Sequence, residues 1–231
     1  IWHCKKEAPE VFAAAYSWIE LADFIPAYAS GNMKPEKAAR GVCAAGHKAM
    51  WNADWGGFPA RDFLAALDPD LAALCDRLPA NTQTADKIAG YLTEEVAKIV
   101  GLRPGTPIAV GAFDCHMGAV GSGVQPGSLV KIVGTSCCDI TVLPLEANLG
   151  ELPGVCGVVP GSVLPDAFGI EAGQSAVGDI FNWFAKNLAP ASYSENGNVF
   201  VNLEKEASKL SPGESGLVAL DWNNGNRCIL V

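Results

Sequence analysis

Apolar positions fall three and four apart over much of the first hundred residues, then alternate or run together beyond residue 124, so the chain reads as helices first and strands afterwards. Glu7 to Tyr16 carries a helical pattern that continues through Trp18, Leu21 and Phe24 to Ile25, with Gly31 and Pro35 to end it. That stripe is expected to face a core, and core packing is the commoner role for Trp18 and Trp51, ligand stacking the rarer one. Residues 60–78 predict two short helices broken at Pro69, and residues 93–100 a third, capped by Thr93 and stopped at Gly101. Pro107 to Ala112 is a short apolar run introduced by Gly105-Thr106, which predicts a buried parallel strand. Asp114 then stands near that strand's carboxyl end, ahead of small residues with helical potential.

The turn signal Val124-Gln125-Pro126-Gly127 marks a boundary, dividing the chain into residues 1–124 and 125–231. Beyond it, Ser128 to Val133 and Asp139 to Leu143 predict a hairpin around Gly134-Thr135-Ser136, and Val155 to Pro160 and Ser162 to Pro165 flank a turn at Gly161. Gly173 to Phe184 and Val199 to Leu210 read as helices, and Leu217 to Trp222 and Cys228 to Val231 as strands. No repeat or low-complexity segment is present. The class is α/β.

Composition narrows what such a protein does. A net charge of −9, with Lys5-Lys6 the one adjacent basic pair, excludes a nucleic-acid surface, which needs clustered Lys and Arg. No apolar run approaches the about eighteen residues of a membrane span, so a protein of the cytoplasm is expected, with no nucleic acid or membrane as partner. The 8 cysteines include no C-x-x-C pair and suit reduced, buried thiols better than disulfides or a zinc site. Cys115-His116 would be the sharper alternative, as a thiol-catalytic or metal-binding pair, but adjacent residues are poorly placed to share a proton. The 3 histidines, His3, His47 and His116, lack the i, i+4 spacing of a helical metal pair, and no metal site is expected.

Four segments carry candidate chemistry. Asp114 at a helix start is a carboxylate favoured by the helix dipole, with helix capping as its bland role. Lys48 in AAGHKAMW and Glu171 in FGIEAGQSAVGD each set one charge among small and apolar neighbours, where burial without partners is costly; a solvated lysine and a salt-bridge partner are the bland alternatives. Gly134-Thr135 between two strands suits close approach to a phosphate, or is an ordinary hairpin. Gly173-Gln174-Ser175 reads as a helix start whose N–H groups suit an anion, although a tight strand-to-helix turn also explains the glycine.

Taken together, GHKAMW, GAFDCHMGAVG, VKIVGTS and EAGQSAVGDI, in unbroken order from about Trp18 to Trp222, resemble the ribulokinase branch of the FGGY family of carbohydrate kinases. The resemblance implies the actin-like, ribonuclease-H-like two-lobed fold, with 1–124 ending the sugar-binding lobe and 125–231 opening the nucleotide-binding lobe. It implies ATP-dependent phosphorylation of a ketopentose, ribulose first and xylulose or another polyol as the alternative, with ATP and Mg²⁺ as co-substrate and ion. Asp114 would be the catalytic base; Lys48, Asp114 and Glu171 would bind the sugar; Gly134, Thr135, Gly173 and Gln174 would approach the nucleotide. The family's acidic phosphate hairpin and Gly-rich adenine segment are missing, so an internal section, inactive by itself, is expected. The tail from Asn223 departs from the family pattern, and homo-oligomerisation stays open. A non-catalytic sugar-binding module and a Cys/His hydrolase are the readings from other classes.

Overall fold

A computed structural model describes residues 1–78, 81–149, 152–195, 197–220 and 222–225. Its helices and strands follow one another in the order α1 (Trp2–Glu7), α2 (Pro9–Ala14), α3 (Leu21–Ala29), β1 (Arg40–Gly41), α4 (Val42–Lys48), α5 (Arg61–Leu67), α6 (Pro69–Cys75), β2 (Thr82–Gln83), β3 (Ile88–Tyr91), α7 (Glu94–Val100), β4 (Pro107–Ala109), α8 (Asp114–Gly121), β5 (Val130–Val133), β6 (Cys137–Pro144), β7 (Gly157–Pro160), β8 (Ala167–Gln174), α9 (Gly178–Asn187), α10 (Ser192–Glu195) and α11 (Val199–Ala207). Strands β1 and β2 pair in parallel, β3 and β4 antiparallel, and four strands form a sheet in the order β5-β6-β8-β7. By contact density the chain divides into a first unit of Ile1–Val130, Ile140–Gly150 and Gly157–Ile170 and a second of Lys131–Asp139, Glu151–Cys156 and Glu171–Val231.

Local signals dictate several elements of the first unit. Pro69 opens α6 at a position where its missing N–H costs nothing, and Asp68 caps it by accepting from the Asp70 N–H at 3.0 Å. Lys5 grips the same Asp68 carboxylate at 2.6 Å, which pulls that carboxyl below its ordinary range. Thr93 caps α7 by accepting from Val96 N–H, and Gly101 ends it in the left-handed conformation at φ 70°. The buried faces of α5 and α6 then meet through Leu64, Leu71 and Ala72.

Beneath α4 lies a buried ion pair. Asp23 on α3 accepts from the Gly41 N–H at 2.8 Å and faces Arg40 Nε at 3.3 Å, a separation that makes an ion pair without hydrogen-bond geometry; Arg40 also donates to the Trp18 carbonyl. Burial is the largest influence on the Asp23 carboxyl and pushes its pKa up to about 6, against the Gly41 N–H and the Arg40 charge. The backbone is packed as tightly as the side chains here. A Cβ on Gly41 would strike the Gly111 carbonyl oxygen, and one on Gly111 would strike that of Ala22.

Several expectations are corrected. The helix expected from Glu7 to Ile25 is broken: α1 already ends at Glu7 before Pro9 opens α2, and residues 15–20 are irregular until Glu20 leads into α3; Trp18 is only half-buried beside that break. The run after Gly105-Thr106 is a three-residue strand paired antiparallel with β3, its Pro107 and Ala109 exposed; the remainder passes under α3 as extended chain. Ser162 to Pro165 forms bends and a turn, and Gly173-Gln174 ends β8 rather than opening a helix, since α9 begins only at Gly178. Leu217 to Leu220 and Trp222 form no strand, with Leu217 and Val218 almost fully exposed, while residues 228–231 and Asp221 lie outside the described residues.

Candidate functional site

Asp114 is delivered by the narrow passage under α3. With Gly111 pressed on Ala22, the chain emerges extended at Phe113 (φ −78°, ψ 148°) and α8 starts at once, so Asp114 is the first helical residue and Phe113 the residue before it. The bland capping role is therefore not taken by Asp114. Its carboxylate is exposed and accepts from the Cys115 N–H at 2.8 Å, which holds it at the positive end of the helix. An exposed carboxylate so placed can accept a proton from a bound hydroxyl.

Lys48 ends α4, whose buried face is Val42 to Ala45. The side chain is exposed rather than enclosed by those neighbours, which corrects the expectation of a buried ammonium. It points across to the α8 start, with Nζ 5.8 Å from the centroid of the Phe113 ring. Lys48 also borders an apolar cavity of about 440 Å³ that includes Trp18, Met50, Phe58 and Leu64.

Two histidines join these candidates. His47, next to Lys48, and His116, two residues after Asp114, bring their rings to a centroid separation of 4.7 Å at 42°. Burial, reinforced by the charges of the other imidazole and Lys48, pushes the His47 pKa down to about 3; burial and Lys48 push that of His116 down to about 4, against Asp114. Both are neutral near pH 7. His116 Nδ1 lies 3.4 Å from Cys115 Sγ, so the adjacent pair does share hydrogen-bond range, contrary to the expectation from adjacency. Burial and the Lys48 charge disfavour the imidazolium that would stabilise a thiolate.

In the second unit Glu171 lies on β8 and is 2% exposed; its carbonyl accepts from the Cys156 N–H at 2.6 Å. Gly134-Thr135 is the exposed tip between β5 and β6. Val177 N–H donates to the Thr135 carbonyl at 2.8 Å and Gly178 N–H to the Gly134 carbonyl at 3.0 Å, which latches the tip to the first residues of α9. A Cβ on Gly178 would come within 2.6 Å of the Gly134 oxygen, so the latch depends on that glycine. The tip thereby presents a backbone turn and the Thr135 hydroxyl beside a ten-residue helix start, a setting suited to an anion. Gly173 has a different reason: its Cβ would strike the Cys137 carbonyl oxygen, so close strand packing accounts for it.

A profile described as the FGGY family of carbohydrate kinases, C-terminal domain, matches residues 129–230. The ribulokinase of Vibrio parahaemolyticus is 44% identical over 94% of this chain, and that of Shouchella clausii 41% identical over all of it. The chain belongs to the FGGY family of carbohydrate kinases. It spans 41% of the length of either of those relatives. The xylulose kinase structure from Rhodospirillum rubrum superposes with a TM-score of 0.76 at 23% identity, covering 99% of this chain and 43% of that one, and a gluconate kinase from Lactobacillus acidophilus gives 0.68 at 18% over 97% and 42%. At that identity the likeness establishes the FGGY kinase fold, the actin-like and ribonuclease-H-like kind.

Within this FGGY chain the structure gathers Lys48, Phe113 and His116 around the α8 start that carries Asp114, and places Glu171, Gly173, Gln174, Gly134 and Thr135 in the second unit. His47 and His116 lie far apart in the chain and outside the i, i+4 spacing of a helical metal pair, so no local pattern predicts their contact. A usable signal existed: each histidine sits within two residues of a charged candidate.

Proposed function

We propose that this chain carries the ketose-facing groups and the phosphate turn of an ATP-dependent ketopentose kinase, with ribulose as the sugar. Identity above 40% to two ribulokinases supports the substrate, and the xylulose kinases enter only through fold likeness. The observation that carries the chemistry is Asp114, exposed at the first position of α8 at the end of a sterically enforced passage.

In the reaction, the terminal hydroxyl oxygen of the ketose forms a bond to the γ-phosphorus while the bond from that phosphorus to the bridging oxygen breaks. Asp114 accepts the hydroxyl proton, and ADP leaves with the bonding electrons. MgATP is the donor. Lys48 donates to sugar hydroxyls and Glu171 accepts from them, which matches groups that are both donors and acceptors. Gly134 and Thr135 hold the terminal phosphates through backbone and hydroxyl at the latched tip. Gly173 and Gln174 enter only as the strand leading to α9, because the helix start that would have made them an anion site lies at Gly178.

On this reading residues 1–124 belong to the sugar-binding lobe and 125–231 to the nucleotide-binding lobe; the C-terminal-domain match over 129–230 supports the second range. The enzyme would work on a dissolved sugar in the cytoplasm; among the described residues no helix is long and apolar enough to cross a membrane. The test is coupled ADP detection with the full-length protein against a panel of pentuloses and pentitols. The highest kcat/KM is expected with ribulose. A clear preference for xylulose would replace the substrate, and ADP release indifferent to every sugar would defeat the kinase reading.

A further inference from the structure

The pair His47 and His116 has no part in the chemistry just described, yet each is built next to a residue that does. His116 is fully buried in the first turn of α8, with its ring 5.9 Å from that of Phe113 and 4.7 Å from that of His47. Phe113 in turn lies under the Lys48 ammonium. Two residues from the α4 end and two from the α8 start thus interlock: His47 with His116, and Lys48 with Phe113.

The far side of His47 is held as firmly. Ser162 is 1% exposed and its hydroxyl donates to the Val159 carbonyl at 3.0 Å. With that proton committed, Ser162 Oγ accepts from His47 Nε2 at 3.1 Å, which fixes the His47 tautomer with its proton on Nε2. The opposite edge of the ring is set by Gly157, where a Cβ would come within 2.7 Å of Nδ1. A ring fixed on three sides cannot swing, and it passes that constraint to His116.

We infer that the His47–His116 pair, with Phe113, positions Lys48 and Asp114 relative to each other, so that the ammonium and the carboxylate meet one sugar in one geometry. These are positioning residues; neither imidazole exchanges a proton with substrate. Neutral rings suit the task, because a charge on either would repel Lys48 and the other ring. The inference rests on the kinase reading above.

The experiment is a double-mutant cycle in the full-length protein, with kcat and KM measured for ribulose and for ATP. His116→Gln is expected to lower kcat/KM for ribulose by about 10- to 100-fold, since misplacement by about 1 Å costs up to about 10²-fold, while KM for ATP stays within about twofold. Lys48→Met combined with His116→Gln should be no worse than Lys48→Met alone by more than about twofold, because the second change disturbs a group already gone. His116→Phe, which keeps a ring between His47 and Phe113, should recover most of the loss. Should the His116 variants fail to fold, Phe113→Leu at a half-buried site carries the test, with about a tenfold loss expected for ribulose and none for ATP. Multiplicative effects in the cycle, an equal rise in KM for ATP, or an unaltered Phe113→Leu would overturn the inference. Asp114→Asn separates the two levels: full turnover in that variant overturns the kinase reading and this inference with it. An inactive Asp114→Asn beside multiplicative effects overturns this inference alone.

Discussion

Asp23 and Asp114 are the same residue in two opposite settings of the first unit. Asp23 is fully buried, bound to the Gly41 N–H and paired with Arg40, so its oxygens are committed to structure. Asp114 is exposed at a helix start, held from the Cys115 N–H and open toward solvent. The two are mechanically linked, since Asp23 fixes Gly41, Gly41 backs Gly111, and three residues later the chain reaches Asp114. A buried carboxylate tied to one backbone N–H and an arginine builds the floor; one that keeps its acceptors facing water can work on a substrate.

The comparison is broken most sharply by Asp114→Asn. Shape is nearly kept and the proton acceptor is lost, so turnover in the full-length protein should fall about 10²–10⁴-fold, with the melting temperature little changed. A variant that unfolds easily while keeping its specific activity would exchange the roles of the two aspartates.

Arg40→Ala makes the converse test. Removing one partner leaves Asp23 buried beside nothing of opposite charge, which should cost about 3–5 kcal/mol in denaturant unfolding. Activity should be lost only in proportion to the unfolded fraction. A loss below about 1 kcal/mol would place the pair among weak surface bridges rather than in the floor.

Lys48→Ala and Glu171→Ala should each weaken ribulose binding by about 1–3 kcal/mol, because a sugar hydroxyl loses its charged partner, while ATP affinity holds. Calorimetry that showed the reverse would reassign both residues to the nucleotide.

The smallest effect expected is on the pH slope of stability. Asp23, with its pKa raised to about 6 from 3.8, holds a proton in the folded state that the unfolded chain has released; its contribution is complete below about pH 4 and lost as pH rises through about 6. His47 and His116, lowered to about 3 and about 4 from 6.5, do the opposite, contributing fully above about pH 6.5 and losing that contribution as pH falls. Two groups with the larger shifts outweigh one, so net stability should drop on acidification from pH 6.5. Urea unfolding between pH 4 and 7 should show a steeper acid loss in Asp23→Asn and a shallower one in His116→Gln. An inverted order would contradict the assigned directions.

How far each feature could be read from the chain tracks how local its cause is. The α6 start at Pro69, and the Thr93 cap and Gly101 stop of α7, depend on contacts within a few residues and are legible in the chain. The α8 start at Asp114 was legible for the same reason, whereas the pairing of the strand before it was not. That strand's partner is β3, some twenty residues earlier, and nothing in Pro107-Ile108-Ala109 specifies an antiparallel neighbour. Gly173 is ambiguous in the sequence because a glycine suits both a turn and a close strand approach, and its reason is the Cys137 carbonyl on another strand.

By itself, the sequence determined the family, the mixed α/β class, the caps and breaks of individual helices, and the residue types offered for chemistry, because these depend on side chains acting over one or two turns. Only the tertiary structure decided which charges are buried and which exposed, that Asp23 serves the floor while Asp114 faces water, and that His47 and His116 meet across the α4 end and the α8 start. Burial and long-range contact arise from how elements pack, and packing couples positions far apart in the chain that no local pattern connects.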